Sequence, residues 1–200
     1  SGRQPQSVAI MAVTKTFPLE AVRSACDAGL RLFGENRVQE AEGKYLPDAR
    51  LPPLSLHLIG HLQRNKARKA AELFEAVQSI DKLETAQALE AACAPADRAI
   101  DILLEMNTSG EATKFGFAGE EALLAAVEPV LGLPHLRLRG LMTVGPLSAD
   151  LERVRGAFRR LARLFDLLRC RYSGQKLDIL SMGMSGDFET AVEEGSTLVR

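Results

Sequence analysis

The 200-residue sequence lacks a strong charge of either sign, since 25 Lys and Arg stand against 26 Asp and Glu for a formal net charge of -1. A near-neutral balance gives no electrostatic reason to expect nucleic acid or an anionic membrane surface as a partner. Basic residues do cluster in segments 64–69 and 153–171, but both have helical patterns and are most simply solvated helix faces. We therefore expect no nucleic-acid partner and no membrane partner.

Cysteine pairs and long apolar runs are also lacking. The cysteines Cys26, Cys93 and Cys170 lie far apart and are odd in number, so they fit neither a metal site nor a disulfide framework. Free cysteines suit a reducing compartment, and we expect a cytoplasmic protein. No apolar run approaches the ~20 residues that cross a bilayer, and no signal peptide is recognisable.

What the sequence does contain is a regular alternation of strand and helix patterns. Its composition, 46% hydrophobic and 26% charged, is that of one soluble domain. Strand patterns occur at 8–15, 31–33, 54–60, 76–80, 100–106, 138–144, 177–182 and 196–199. Helix patterns occur at 18–30, 38–45, 67–73, 82–92, 119–131, 151–172 and 188–194.

This alternation has no repeat, composition break or linker. It predicts right-handed crossovers between parallel strands. Eight strands that alternate with helices favour an α/β fold of the closed kind, a single-domain (β/α)8 TIM barrel over residues 1–200, rather than an open doubly wound sheet.

The first strand pattern, 8–15, ends in Lys15. Its Val8, Ile10 and Val13 favour a buried parallel strand. Lys15 therefore lies at the carboxyl end of a strand, where α/β folds place their ligands. Desolvation there can turn a lysine into a nucleophilic amine. The alternative is a lysine whose ammonium group extends to solvent.

A glycine-bearing loop at 183–187, with the sequence Gly-Met-Ser-Gly-Asp, enters a helix at Phe188. Free N–H groups at such a helix start, together with a serine hydroxyl, bind an anion well. Barrels often place a phosphate after strands seven and eight, where this loop falls. The alternative is that Ser185 or Asp187 only caps the helix.

A closed barrel would bring the carboxyl ends of all strands to one mouth. The polar residues gathered there would be Lys15, Asn36, those following Gly60, Ser79, Asn107, Thr143, those of 181–187, and Arg200. The guanidinium of Arg200, in an apolar wall, would require an anion or another acceptor. The alternative is a solvated terminal arginine without a role.

Other polar residues have simpler explanations. His57 lies between Leu56 and Leu58, which indicates a satisfied histidine of the barrel wall rather than a base. Asp81 is interpreted as a helix cap, and Glu35 as a polar group of a loop at the mouth. The sequence shows no Ser-His-Asp order, Walker loop or metal-ligand spacing.

Six motifs stand in a recognisable order. They are AVTKT at 12–16, FGEN with VQE at 33–40, HLIGxLQxNK at 57–66, GLMT at 140–143, SMGMSxD at 181–187 and EGSTxVR at 194–200. Over nearly the whole chain they resemble the pyridoxal phosphate homeostasis protein family, whose members are single-domain relatives of the alanine racemase barrel.

The resemblance implies that Lys15 holds pyridoxal 5'-phosphate (PLP) as an internal aldimine and that Ser185 and the Gly186 backbone bind its phosphate. It implies that Asn36 approaches the ring or its hydroxyl and that Arg200 faces the pyridine nitrogen. Such an arginine keeps that nitrogen unprotonated and weakens the ring as an electron sink. It also implies truncation at both ends, because a leading helix and small residues after Arg200 are expected.

The resemblance favours a monomeric protein that buffers or delivers PLP, with PLP-dependent apoenzymes as recipients. Racemisation requires a second base on the opposite face of the substrate, and Tyr45 and Tyr172 lie in helical patterns away from the mouth. One alternative is an amino-acid racemase or related fold-type III enzyme, weak or dependent on a partner's base. Another is a barrel that binds a different phosphate ligand such as a flavin.

Overall fold

A computed structural model of the chain describes residues 2–45, 51–111 and 114–200, so most of the predicted loop 47–53 lies outside the described residues. Its strands are β1 Ala9–Ile10, β2 Ala12–Val13, β3 Leu32–Glu35, β4 Ser55–Leu58, β5 Ala76–Ile80, β6 Ile100–Glu105, β7 Leu136–Met142, β8 Ile179–Ser181 and β9 Leu198–Val199. Its helices are α1 Leu19–Asp27, α2 Val38–Tyr45, α3 Ala67–Leu73, α4 Leu83–Cys93, α5 Glu120–Leu131, α6 Leu151–Arg171 and α7 Phe188–Glu193.

All strand pairs are parallel, in the order β1-β9-β8-β7-β6-β5-β4-β3-β2. β1 and β2 are two parts of one predicted strand, interrupted at Met11. β1 pairs with β9 and β2 pairs with β3, so one segment bonds to both of its neighbours. At the interruption between β1 and β2, the Met11 N–H donates to the Val199 carbonyl at 2.9 Å. The sheet therefore closes on itself, and the predicted (β/α)8 barrel is confirmed.

Helix α6 shows how the helical layer covers this barrel. The Asp150 carboxylate accepts hydrogen bonds from the N–H groups of Glu152 and Arg153, at 3.0 and 3.4 Å, and so caps the helix start. Its buried residues recur every three or four positions and form one face: Val154, Ala157, Phe158, Leu161, Leu164, Phe165 and Leu168. Burying each larger side chain contributes roughly 1.5–3 kcal/mol, which fixes the helix on the barrel.

Two local predictions are wrong. Gly34 and Glu35 do not form a loop but continue β3, where Gly34 pairs with His57. A Cβ on Gly34 would lie 2.6 Å from the Met11 sulfur. Glycine is therefore needed at position 34, because the Met11 side chain packs directly against β3 there. Asp81 does not cap α4, which begins after Lys82 without a side-chain cap. Pairing between distant strands, not the local pattern, decides where β3 ends.

Within the described part of the chain, no helix combines the length and apolar character that a membrane crossing demands. The same residues contain no group of three or more His, Cys, Asp or Glu side chains that could hold a metal ion.

Candidate functional site

A cavity of about 710 Å³ opens at the carboxyl ends of the strands. Four of the five predicted site residues line it: Lys15, Asn36, Ser185 and Arg200. The rest of its described wall is apolar: Ile10, Met11, Val13, Ile59, Val144, Met184, Phe188 and Val199. Gly186 is not among these lining residues, although it follows Ser185 directly. An apolar cavity of this size with a few convergent polar groups is typical of a small-molecule site.

Lys15 lies two residues after the end of β2, and its side chain is exposed. It makes no hydrogen bond or ion pair with any residue that the structure describes. The backbone beside it is held, because the Thr14 N–H donates to the Gly34 carbonyl at 3.0 Å and the Phe17 N–H donates to the Thr14 carbonyl at 3.0 Å. Lys15 is thus an amine on a fixed backbone, unpartnered within the part of the chain that the structure describes, and it is available to an electrophile in the cavity.

A buried polar cluster lies behind this segment, against α2. Lys44 Nζ donates to the Thr14 carbonyl and to Glu35 Oε1, both at 2.7 Å. Thr14 Oγ1 also donates to Glu35 Oε1 at 2.7 Å. Glu35 is fully buried and is not one of the described lining residues, so its assignment to the mouth is wrong. Its carboxylate instead ties α2 to the residue that precedes Lys15.

The tyrosines do not supply the cavity with a base. Neither Tyr45 nor Tyr172 is among the described residues that line it. Tyr45 is nearer than expected, however, because its hydroxyl lies 2.8 Å from Thr14 Oγ1 in the buried cluster. Burial raises the pKa of the Tyr45 phenol well above its ordinary value, and hydrogen bonding to Thr14 only partly offsets this.

Asn36 is positioned by a glycine on the neighbouring strand end. A Cβ on Gly60 would lie 2.2 Å from the Asn36 carbonyl oxygen and 2.9 Å from its Cα, so only glycine allows this approach. Ser79 Oγ donates to the Gly60 carbonyl at 2.6 Å and holds it there. The HLIG motif therefore acts by placing Asn36 at the cavity wall.

The loop 183–187 forms a closed turn. Asp187 Oδ1 accepts a hydrogen bond from the Met184 N–H at 2.6 Å, and the Met184 carbonyl accepts one from the Asp187 N–H at 3.0 Å. Asp187 makes no side-chain hydrogen bond to α7, so it stabilises the turn rather than capping the helix. The N–H groups of Ser185 and Gly186 have no acceptor among the described residues, and they leave an anion-binding arrangement beside the Ser185 hydroxyl.

Arg200 lies half-buried in the cavity wall and is not an exposed terminal residue. Its Nη1 donates to Ser181 Oγ at 2.8 Å, and its Nη2 donates to the Thr143 carbonyl at 2.9 Å. Burial lowers the pKa of the guanidinium to about 10, against the opposing charges of Glu105 and Asp187. Arg200 is therefore a cation at neutral pH, held by neutral acceptors.

A second cavity of about 810 Å³ adjoins the first, and the two share Asn36, Ile59 and Val144. Glu105, which is 6% exposed, lines the second cavity. Burial and, to a smaller extent, Asp81 raise the pKa of Glu105 to about 7, while Arg200 lowers it. Sequence reasoning missed this residue, although an acidic residue at the end of an apolar strand is a visible signal.

The prediction for His57 is confirmed. The side chain is 8% exposed, and both ring nitrogens have partners. Ser55 Oγ lies 3.1 Å from Nε2, and Gln78 Nε2 lies 2.9 Å from Nδ1. Burial lowers the pKa of His57 to about 4, although the charges of Glu75 and Asp101 oppose this, so the ring is neutral at pH 7.

Fold and site together define a barrel of the alanine racemase N-terminal domain class, whose family model matches residues 3–200. The chain belongs to the family of pyridoxal phosphate homeostasis proteins, as its six motifs predict. A protein of that name from Pseudomonas aeruginosa is 48% identical over 200 residues, covering 100% of this chain and 84% of the relative. The Escherichia coli K12 protein is 39% identical over 203 residues, covering 100% and 85%.

Solved structures agree with this assignment. PipY of Synechococcus elongatus, solved with PLP bound, is 36% identical with a TM-score of 0.91, covering 99% of this chain and 92% of PipY. An alanine racemase of Clostridium difficile has a TM-score of 0.78 at 15% identity, covering 98% of this chain and 51% of the racemase. At that identity the likeness shows the fold alone.

Proposed function

We propose that this chain binds PLP at the mouth of its barrel as a Schiff base on Lys15. It serves PLP homeostasis in the cytoplasm without robust catalytic activity of its own. The observation that carries the proposal is a single cavity in which Lys15, which has no partner among the described residues, shares the wall with Asn36, Ser185 and Arg200.

The residues of this cavity fit the chemical parts of PLP. When bound, PLP supplies an aldehyde that condenses with an amine, and Lys15 offers that amine. The Ser185 hydroxyl and the N–H groups of Ser185 and Gly186 suit the phosphate. The cationic Arg200 suits the unprotonated pyridine nitrogen as a donor, and the Asn36 amide suits the ring hydroxyl. PipY, which is 36% identical to this chain, was solved with PLP bound, and this supports PLP as the ligand.

The titratable groups of the cavity favour retention of the cofactor over turnover. Among the described lining residues only Lys15 and Arg200 are titratable, and an arginine does not act as a base. Racemisation requires a proton-transfer group on each face of the substrate. Because the described wall offers only one basic amine, it favours binding of the cofactor over racemisation. An arginine facing the pyridine nitrogen leaves it unprotonated, which weakens the ring as an electron sink.

The wider role follows from this binding function. PLP-dependent apoenzymes are the recipients that we propose, and the chain, one barrel domain over residues 1–200, delivers the cofactor as a monomer. The free state of Cys26, Cys93 and Cys170 supports a reducing cytoplasmic location.

A second candidate function is a PLP-dependent amino-acid racemase or related fold-type III enzyme. The observation that favours it is Glu105, a buried carboxyl group with a pKa of about 7 in the adjoining cavity. A group with that pKa can act as a general base at neutral pH. Turnover of D- or L-alanine by the purified protein with PLP would establish this function and exclude the purely binding role.

The proposed site is tested by adding PLP, recording the absorption spectrum, reducing with borohydride and mapping the labelled peptide. We expect a yellow species whose reduced adduct is on Lys15, and no such species in a Lys15→Ala variant. Lys66→Ala is the matched control, because Lys66 lines only the adjoining cavity. Label found chiefly on Lys66 or Lys114 would overturn the assignment.

A further inference from the structure

A continuous series of hydrogen bonds passes through the barrel interior, starting from the cavity wall. We call it the interior network, and its members are Arg200, Ser181, Gln78, His57, Ser55 and Glu75. Arg200 Nη1 donates to Ser181 Oγ at 2.8 Å, and Ser181 Oγ donates to Gln78 Oε1 at 2.7 Å. At the other end, Ser55 Oγ donates to Glu75 Oε2 at 2.7 Å.

The central part of the network has one consistent direction of donation. The Gln78 amide nitrogen can only donate, so His57 Nδ1, 2.9 Å away, accepts. A neutral imidazole then carries its proton on Nε2, which donates to Ser55 Oγ at 3.1 Å. Every bond therefore points away from the Arg200 cation and towards the Glu75 carboxylate. Hydrogen bonds aligned in this way polarise one another in a low-dielectric interior.

Three members of the network, His57, Gln78 and Ser181, are buried in places that a barrel normally fills with branched apolar side chains. Gln78 is 1% exposed and Ser181 is fully buried. Buried polar groups cost free energy unless they are fully hydrogen-bonded, and here both ends of the Gln78 amide and the Ser181 hydroxyl have partners. An apolar layer would stabilise the barrel at least as well, so stability alone does not account for the network.

The other end of the network lies away from the cofactor site. Glu75 is exposed and directly precedes β5, so it lies at the end of the barrel opposite the mouth. It lines a separate polar cavity of about 390 Å³ together with Ser55 and His57. Glu75 is thus accessible to substitution without direct disturbance of the mouth.

We propose that Gln78 and Ser181 are positioning residues that hold the Arg200 guanidinium towards the cavity, and that the network couples this orientation to Glu75 at the opposite end of the barrel. The inference rests on the proposed function, in which Arg200 faces the pyridine nitrogen of PLP. Without the Ser181 hydroxyl, Arg200 Nη1 keeps only the longer contact to the Ser181 carbonyl, at 3.3 Å, and the orientation of the guanidinium depends on the single bond from Nη2 to the Thr143 carbonyl at 2.9 Å.

The test compares Ser181→Ala, Gln78→Met and Glu75→Gln with the wild type, using the dissociation constant of PLP and the absorption maximum of the bound cofactor. We expect PLP binding to weaken about tenfold in Ser181→Ala and in Gln78→Met, because a charge-assisted hydrogen bond to Arg200 is lost or loosened. We expect Glu75→Gln to shift the absorption maximum in the same direction with a smaller change in affinity. Glu72→Gln, an exposed carboxylate outside the network, is the control without effect.

A second measurement does not depend on PLP. In ¹⁵N spectra of the protein without PLP, the Arg200 side-chain signal should move in Gln78→Met and in Glu75→Gln but not in Glu72→Gln. The His57 ring should show the neutral form protonated on Nε2. A melting temperature that falls while the absorption maximum, the affinity and the Arg200 signal stay unchanged would reduce Gln78 and Ser181 to structural residues and overturn the inference.

The outcomes separate this inference from the proposed function. If the wild type binds no PLP, the proposed function fails, while the Arg200 signal still reports on the network. If the wild type binds PLP on Lys15 but Ser181→Ala and Gln78→Met bind it equally well, the positioning role fails and the proposed function stands. If only Glu75→Gln is without effect, the coupling to the opposite end fails.

Discussion

Lowering the pH from 7 to 5 is expected to destabilise the wild-type protein by about 2 kcal/mol relative to a His57→Gln variant. The pKa of His57 is about 4 in the folded protein against an ordinary value of 6.5. Between these values the unfolded chain binds a proton that the folded protein does not. The free energy of unfolding therefore falls as the pH drops below 6.5, and the loss reaches about 3 kcal/mol near pH 4.

Glu105 acts in the opposite direction. Its pKa of about 7 in the folded protein exceeds the ordinary value of 4.5, so the folded state binds a proton first as the pH falls. Stability is gained between pH 7 and 4.5, by an amount of similar size. The two groups largely offset each other in the wild type, so the pH dependence of the wild type alone would hide both contributions.

The measurement is urea unfolding of wild type, His57→Gln and Glu105→Gln at several pH values between 7 and 4.5. Removing His57 should leave the stabilising effect of acid from Glu105, so the free energy of unfolding of His57→Gln should rise relative to that of the wild type as the pH falls. Removing Glu105 should have the opposite effect, and the free energy of unfolding of Glu105→Gln should fall steeply. A difference between wild type and His57→Gln that stays constant over this pH range would refute the reasoning.

Three further changes have defined outcomes. Gly60→Ala places a Cβ against the Asn36 carbonyl and should weaken PLP binding in equilibrium dialysis by about tenfold or more, because the cavity wall moves. Ser185→Ala should release PLP faster in stopped-flow absorbance but still form the adduct, because only the phosphate loses a donor. Lys44→Met should lower the free energy of unfolding in urea by about 3 kcal/mol, because it leaves the Glu35 carboxylate buried without its ion-pair partner.

Matched controls accompany these variants. Gly156→Ala also adds a methyl group to a glycine, but open space surrounds that position, so PLP binding should not change. Lys69→Met removes an exposed ion pair and should barely alter stability. Equal losses of stability in Lys44→Met and Lys69→Met would contradict the importance of the buried pair, and unchanged PLP release in Ser185→Ala would contradict the phosphate role.

Local sequence patterns were enough to predict the bounds of several helices and strands and the family to which the chain belongs. The bounds of α2, α3 and β5 are as predicted, because apolar spacing and flanking polar residues are local properties of the sequence. The interruption of the first strand at Met11 was not predictable, since it arises where one segment pairs with both β9 and β3. The location of Glu35 behind the wall follows from the same non-local pairing.

By itself the sequence determined the alternation of strands and helices and the motifs that carry Lys15, Ser185 and Arg200, because these depend on residue types at short spacing. Only the tertiary structure decided that Lys15 and Arg200 share a cavity, and that Ser181 meets Gln78 across 103 residues. Which side chains of a closed barrel meet in its interior depends on strand register, and register is set by contacts between segments distant along the chain.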